Sequence, residues 1–223
     1  MNQMHEDTLS PDDAIERSRE FFDLMKTRRT VRRFSDEPVP EQIIRNIIAT
    51  AGTSPSGANK QPWRFVAVSD AALKREIREA AEQEERDFYE HRANQAWLDD
   101  LHPLQTDAHK PFIEEAPWLI AVFKLMKDDS PNGQSEQVYY VNESVGIAVG
   151  ILIAAAHQAG LSTLTHTPSP MSFLCEILDR PSYERPFLLI PMGYAHKSYT
   201  PPEIHRKTLP EIMVRNRNTR IDQ

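Results

Sequence analysis

Residues Lys26 to Phe34 read Lys-Thr-Arg-Arg-Thr-Val-Arg-Arg-Phe. Five of the first eight are cationic, in a chain whose formal net charge is −7. Like charges this close repel one another unless an anion sits among them. Guanidinium groups grip phosphate in a bidentate fork, so the chemistry on offer is phosphate binding. Basic runs also mark nucleic-acid patches. Here no second cluster of that density follows, as a nucleic-acid track would need, and the acidic balance argues the same way. On an extended backbone Arg28, Thr30 and Arg32 would face one side, and Arg29, Val31 and Arg33 the other. The favoured ligand is a mononucleotide phosphate.

A second set carries the chemistry of a zwitterion. Glu85 and Tyr89 are four residues apart and project from one helical face, and Lys110 follows a turn containing Pro103. One acid, one phenol and one amine could clamp an ammonium and a carboxylate; the competing reading is a solvated helix, since Glu82 to Asp87 is charged all round. A third stretch, Thr53 to Trp63, is a loop by its Pro, Ser and Gly content. Its small side chains would let backbone N–H groups approach a flat ligand, although a plain connector has the same composition.

Other chemistries are weakly supported. There is no G-x-G-x-x-G, no Walker loop and no nucleophile elbow. The eight histidines show no metal-ligand spacing, so no metal is expected. Ser56 has no His/Asp pair near it in sequence. Cys175 is the only cysteine, reads as a buried thiol in a helix, and points to a reducing, cytoplasmic setting. No apolar run approaches a membrane span and the polar N-terminus is not a signal peptide, so no membrane partner is expected.

The elements that must position these groups follow from local pattern. Residues 1–9 read as a leader. Ser10-Pro11-Asp12-Asp13 starts a helix whose Ile15, Phe22 and Met25 would share a buried face. Val39-Pro40-Glu41 opens a second, with Ile43, Ile44, Ile47 and Ile48 at helical spacing. A strand is expected over 64–68 and a long, interruptible helix from 69 towards 100. Trp118 to Leu125 reads as a central buried strand. A turn at Pro131-Asn132-Gly133 leads past Glu136 into a helix ending at Ala159, apolar over most of its circumference and so buried in a core or a subunit interface. Strands over 161–167 and 187–191 flank a helix near 169–178. Ile212, Met213 and Val214 form a late apolar patch suited to a partner subunit. Widely spaced strands among helices make an α+β fold.

Taken together, Arg28 to Phe34, the Pro55-Ser56-Gly57-Ala58 loop followed by Gln61-Pro62-Trp63, and the Ala159-Gly160-Leu161 helix end resemble the flavin-dependent nitroreductase superfamily. Within it, Ala51 to Ala58, Thr165-His166-Thr167-Pro168, Gly193-Tyr194 and His205-Arg206-Lys207 resemble the iodotyrosine deiodinases. The resemblance spans about residues 20–215. It implies a central mixed sheet flanked by helices in an intertwined homodimer, with a leader over 1–19, a lid over about 82–112 and a tail over 216–223. It also implies FMN held by Arg28, Arg29, Thr30, Val31, Arg32, Thr165, His166, Thr167 and Arg206, with Pro55, Ser56 and Gly57 supplied by the other subunit. Thr167 would sit near flavin N5 as the catalytic hydroxyl. Ala58 would offer its backbone to the substrate phenolate, Glu85 would take the ammonium, and Tyr89 and Lys110 the carboxylate.

The implied activity is reductive dehalogenation of halotyrosines, with NAD(P)H or a flavin or nicotinamide reductase partner as electron source. Cations near the flavin would stabilise its reduced form. Two features depart from the animal members: their N-terminal membrane anchor is not seen, which implies a soluble form, and His166 stands where they usually have Thr. The competing readings are a broad nitro- or quinone reductase, which needs no zwitterion clamp, and a non-catalytic flavin carrier or sensor.

Overall fold

The computed structural model describes residues 9–129 and 137–216, with the backbone of 219–220. The expected turn at Pro131-Asn132-Gly133, Glu136 and most of the expected leader lie outside the described residues. Helix α1 (Pro11–Lys26) starts as its sequence requires: Ser10 Oγ accepts from Asp13 N–H (3.1 Å), with Pro11 at the first position. Its apolar face is not buried, contrary to expectation. Ile15 and Phe22 are 62% and 64% exposed, and no residue of the helix is buried. Its C-terminal end is tied to His157 Nε2, which lies 3.0 Å from both Leu24 O and Thr27 Oγ1, and to Arg206, which donates to Lys26 O.

Helix α2 (Glu41–Gly52) buries Ile44, Ile47 and Ala51. Strand β1 (Trp63–Val68) follows the loop, and α3 (Ala71–Asp87), capped by Asp70, runs into a π turn at Phe88–Arg92 before α4 (Gln95–Leu101) and the short α5 (Phe112–Glu115). Strand β2 (Trp118–Leu125) pairs antiparallel with both β1 and β4 (Glu184–Gly193). Helix α6 (Val141–Gln158) begins five residues after Glu136. It ends in a turn at Gly160 (φ +79°), where Leu161 N–H reaches Ala156 O at 2.9 Å. Strand β3 (Ser162–Thr163), α7 (Phe173–Ile177), α8 (Leu209–Ile212) and the β5–β6 hairpin (Val214–Arg215 and Thr219–Arg220) complete the described chain.

The sheet order is β1-β2-β4-β3, antiparallel throughout. The expected mixed character survives only as an isolated parallel bridge between Thr30 and Thr163. Alternation along β2 builds two cores. Ile120 and Val122 face α2 and α6, while Leu119, Ala121 and Phe123 face α3, α5, α7 and the arginine segment. The register slips between Val122 and Phe123, opposite Pro186 and Phe187, where a proline has no N–H to give.

The strand expected over 161–167 is interrupted for a similar reason. Thr163 pairs with Met192 and His166 with Leu189, but Leu164 falls opposite Pro191, which cannot donate. Among the described helices only α6 is long and apolar enough to cross a membrane; it packs on the sheet as a core helix.

Candidate functional site

The broken strand edge is where the site forms. Thr165, His166 and Thr167 leave β3 with alternating exposure: the two threonines are exposed and His166 is buried between them. All three line a cavity of about 630 Å³, together with Arg32, Glu85, Tyr89 and Lys110. The strand edge, Arg32 of the arginine segment, and Glu85, Tyr89 and Lys110 thus converge on one space.

Glu85 and Tyr89 do share a face, α3 carrying the first and the π turn the second. Lys110 Nζ lies 3.0 Å from Glu85 Oε2, and the side chains are only 3% and 13% exposed. The same ammonium donates to Thr106 Oγ1 (3.2 Å) and to Asp107 O, and it lies 5.6 Å from the centre of the Tyr89 ring. Tyr89 donates its hydroxyl to Thr106 O at 3.2 Å. Burial, with the neighbouring Glu85 and Asp107, holds the phenol above its ordinary pKa, so it remains a donor. The solvated-helix reading of this face does not hold.

Sequence pattern missed Glu82. Read as part of a solvated run, it is buried, and its Oε1 accepts the backbone N–H of Lys110 at 2.7 Å. A signal was present: Lys74, Ile77, Ala81 and Glu82 fall on one helical stripe, and all four are buried. Arg92 was also missed. Its guanidinium joins Glu84 O (2.6 Å) and Asp87 Oδ2 (2.8 Å) on the lid helix to Ser169 O on the loop after Thr167.

Of the phosphate candidates only Arg32 lines this cavity; Arg28, Arg29 and Arg206 form a set of their own. Arg206 donates to Lys26 O (2.8 Å) and Arg28 O (2.6 Å), and Arg29 donates to Pro202 O. Burial first, then the charges of Arg206 and Arg29, lowers the pKa of Arg28, with no carboxylate countering them. Cations held together on carbonyl partners, at a cost in mutual repulsion, fit the phosphate of FMN. Strict alternation of the arginines fails at its start. Arg28 N–H still bonds Met25 O (3.1 Å) as part of the α1 end, so the extended run begins only beyond it. Thr30 pairs with Thr163, Val31 is buried, and Arg33 meets Glu115 at 3.5 Å.

Pro55, Ser56, Gly57 and Ala58 do not line this cavity. Their loop packs before α6, and a Cβ on Gly57 would come within 2.9 Å of the Tyr140 ring and 3.0 Å of Tyr139 O. Ser56 Oγ accepts from Gln61 N–H (2.9 Å), and Ala58 holds a left-handed conformation (φ +49°, ψ +28°). Cys175 is half-buried and donates to Glu184 O (3.4 Å); burial raises its pKa, which keeps it a thiol. No cluster suited to a metal occurs among the described residues.

Comparison with known proteins places the chain in a family. The sequence model of the Nitroreductase family matches residues 25–194. An iodotyrosine deiodinase of Haliscomenobacter hydrossis is 53% identical over 206 residues, 92% of this chain and 93% of that protein. Human iodotyrosine deiodinase 1 is 43% identical over 203 residues, 91% of this chain and 70% of its own length. A crystal structure of oxidized iodotyrosine deiodinase bound to FMN and 3-iodo-L-tyrosine superposes with a TM-score of 0.74 at 33% identity, covering 89% of this chain and 99% of that one. Sequence and fold agree: this chain belongs to the nitroreductase family and, within it, to the iodotyrosine deiodinases.

Proposed function

We propose that this chain binds FMN and removes halide reductively from halotyrosines. The observation that carries the reading is the buried Lys110–Glu85 pair, with Tyr89, over a cavity shared with Thr165 and Thr167. An open-pocket reductase gains nothing from a desolvated acid–amine pair at the mouth of its cavity, whereas an amino acid needs both charges met.

Arg28, Arg29 and Arg206 would hold the FMN phosphate, with Arg32 and the 165–167 edge beside the ring. Replacing halogen by hydrogen takes two electrons and one proton and releases halide; reduced FMN supplies the electrons. Thr167 would direct its hydroxyl at the flavin ring. Glu85 would take the substrate ammonium while Lys110 and Tyr89 take the carboxylate, and the closed lid would exclude water from the reacting ring.

The backbone of Ala58 would hold the phenol oxygen as phenolate. Because its loop lies outside the cavity of its own chain, a second copy would supply it, and the uncovered apolar faces of α1 and the C-terminal segment support a homodimer. NAD(P)H, directly or through a reductase partner, would supply the electrons. The test is titration of the FMN-loaded protein with 3-iodotyrosine, followed by flavin fluorescence, and halide release under reduction. Saturable quenching with iodide release is expected. Turnover of nitroaromatics without any iodotyrosine binding would overturn the reading.

A further inference from the structure

The reading above gives the His166 side chain no task of its own, although it lines the cavity. Its backbone is pinned to β4 by two hydrogen bonds with Leu189 (2.8 and 2.9 Å), and its ring stands edge-on to Phe112 at 5.6 Å. The side chain is 9% exposed and its Nε2 is buried without a hydrogen-bond partner. A buried polar atom left this way is costly, so a native site that keeps one has a partner in mind for it. Nε2 faces Glu85 Oε1 across 3.9 Å, too far for a hydrogen bond.

Glu85 itself is half satisfied. Lys110 holds Oε2, and all three ammonium protons are accounted for by Oε2, Thr106 Oγ1 and Asp107 O. The Oε1 edge has no such donor, and it faces the unpartnered Nε2 of His166 across the gap. The pKa of His166 is lowered to about 3 by burial, then by Lys110 and Arg32, so the imidazole stays neutral at neutral pH, and its Nδ1–H tautomer leaves Nε2 able to accept.

Resting on the halotyrosine reading, we infer that His166 Nε2 is a second acceptor for the substrate ammonium, seated with Glu85 Oε1 on either side of the same nitrogen. A carboxylate alone would grip any cation. Two acceptors set at an angle select a primary ammonium, which has protons to give to both, and align it for Glu85. His166 is then a specificity residue for the amino group, separate from the cofactor role that its place in the Thr165–Thr167 segment implies.

The experiment is calorimetric binding of 3-iodotyrosine and of its des-amino analogue to FMN-loaded wild type, His166→Leu and His166→Asn. Circular dichroism serves as the check on folding. His166→Leu should weaken iodotyrosine about tenfold, the low end for a hydrogen bond to a charged group. The des-amino analogue should change by less than about twofold, and His166→Asn, which restores an acceptor, should recover most of the loss. Equal losses for both ligands, or no loss for iodotyrosine, would overturn this inference alone. Failure of wild type to bind iodotyrosine would overturn the halotyrosine reading and this inference with it. If His166→Leu does not retain FMN, His166→Asn against His166→Gln decides, since unequal loss between the two ligands is still required.

Discussion

Lys110 and Glu85 neutralise each other across 3.0 Å in a nearly buried pair. A zwitterion entering this space would replace one ion pair by two, with its ammonium on Glu85 and its carboxylate on Lys110. No net charge is buried in the exchange, and neither protein group is left unpaired. A ligand bearing one charge would satisfy one partner and strand the other.

The first prediction follows from that exchange. Lys110→Ala or Glu85→Gln should weaken 3-iodotyrosine binding by ~2–4 kcal/mol, the usual cost of breaking a desolvated charge pair. Binding of 2-iodophenol, which has neither charge, should hardly change. Flavin fluorescence titrations of both ligands decide the matter, and equal losses would mean that the pair supports the lid in general.

Arg28 carries the second. Its guanidinium is crowded by Arg29 and Arg206 with only carbonyls to satisfy them. Arg28→Ala should therefore loosen FMN by ~1.5–3 kcal/mol, a charge-assisted hydrogen bond's worth, so more than tenfold in Kd. Riboflavin, which has no phosphate, should bind both proteins alike. Equilibrium dialysis with the two flavins separates phosphate binding from general damage to the fold.

Much of this arrangement was legible in the sequence where the signal is local. The uninterrupted apolar run of Trp118–Leu125 specifies a central strand, and Gly160 marks the end of α6 because its φ suits few other residues. Glu85 and Tyr89 were legible through helical spacing. What pattern could not show depends on partners distant in sequence. Leu164 reaches Pro191 O at 3.3 Å but gets no bond back, because a proline happens to lie opposite it. Glu82 is buried because Lys110 N–H needs an acceptor there. The stripe of Ile15 and Phe22 was read as core, but the described chain has nothing to cover it.

That uncovered stripe gives the third prediction. Phe22 is 64% exposed, so on an isolated chain Phe22→Glu would change stability by no more than about 0.5 kcal/mol. If a second copy covers α1, the same substitution should shift the protein from dimer to monomer in sedimentation. It should also weaken FMN, because the Ser56–Ala58 loop would no longer reach the partner's site. A variant that sediments as wild type and keeps its flavin would place the dimer contact elsewhere.

The last prediction concerns acid. Burial first, with Lys110 and Arg32 adding to it, depresses His166 from an ordinary 6.5 to about 3, and Glu85 at 3.9 Å is the acid facing it. Below pH 6.5 the unfolded chain takes up a proton there that the folded chain refuses. Its contribution is therefore intact above about 6.5 and is lost steadily as pH falls towards 3, with a slope approaching about 1.4 kcal/mol per pH unit. Between pH 7 and pH 4.5 this one group should cost wild type about 2–3 kcal/mol that His166→Asn is spared. Urea unfolding of both proteins, at one protein concentration and with saturating FMN, measures the difference directly. The gap between wild type and variant should widen in the variant's favour as pH drops; a gap independent of pH would show that folding does not lower the His166 pKa.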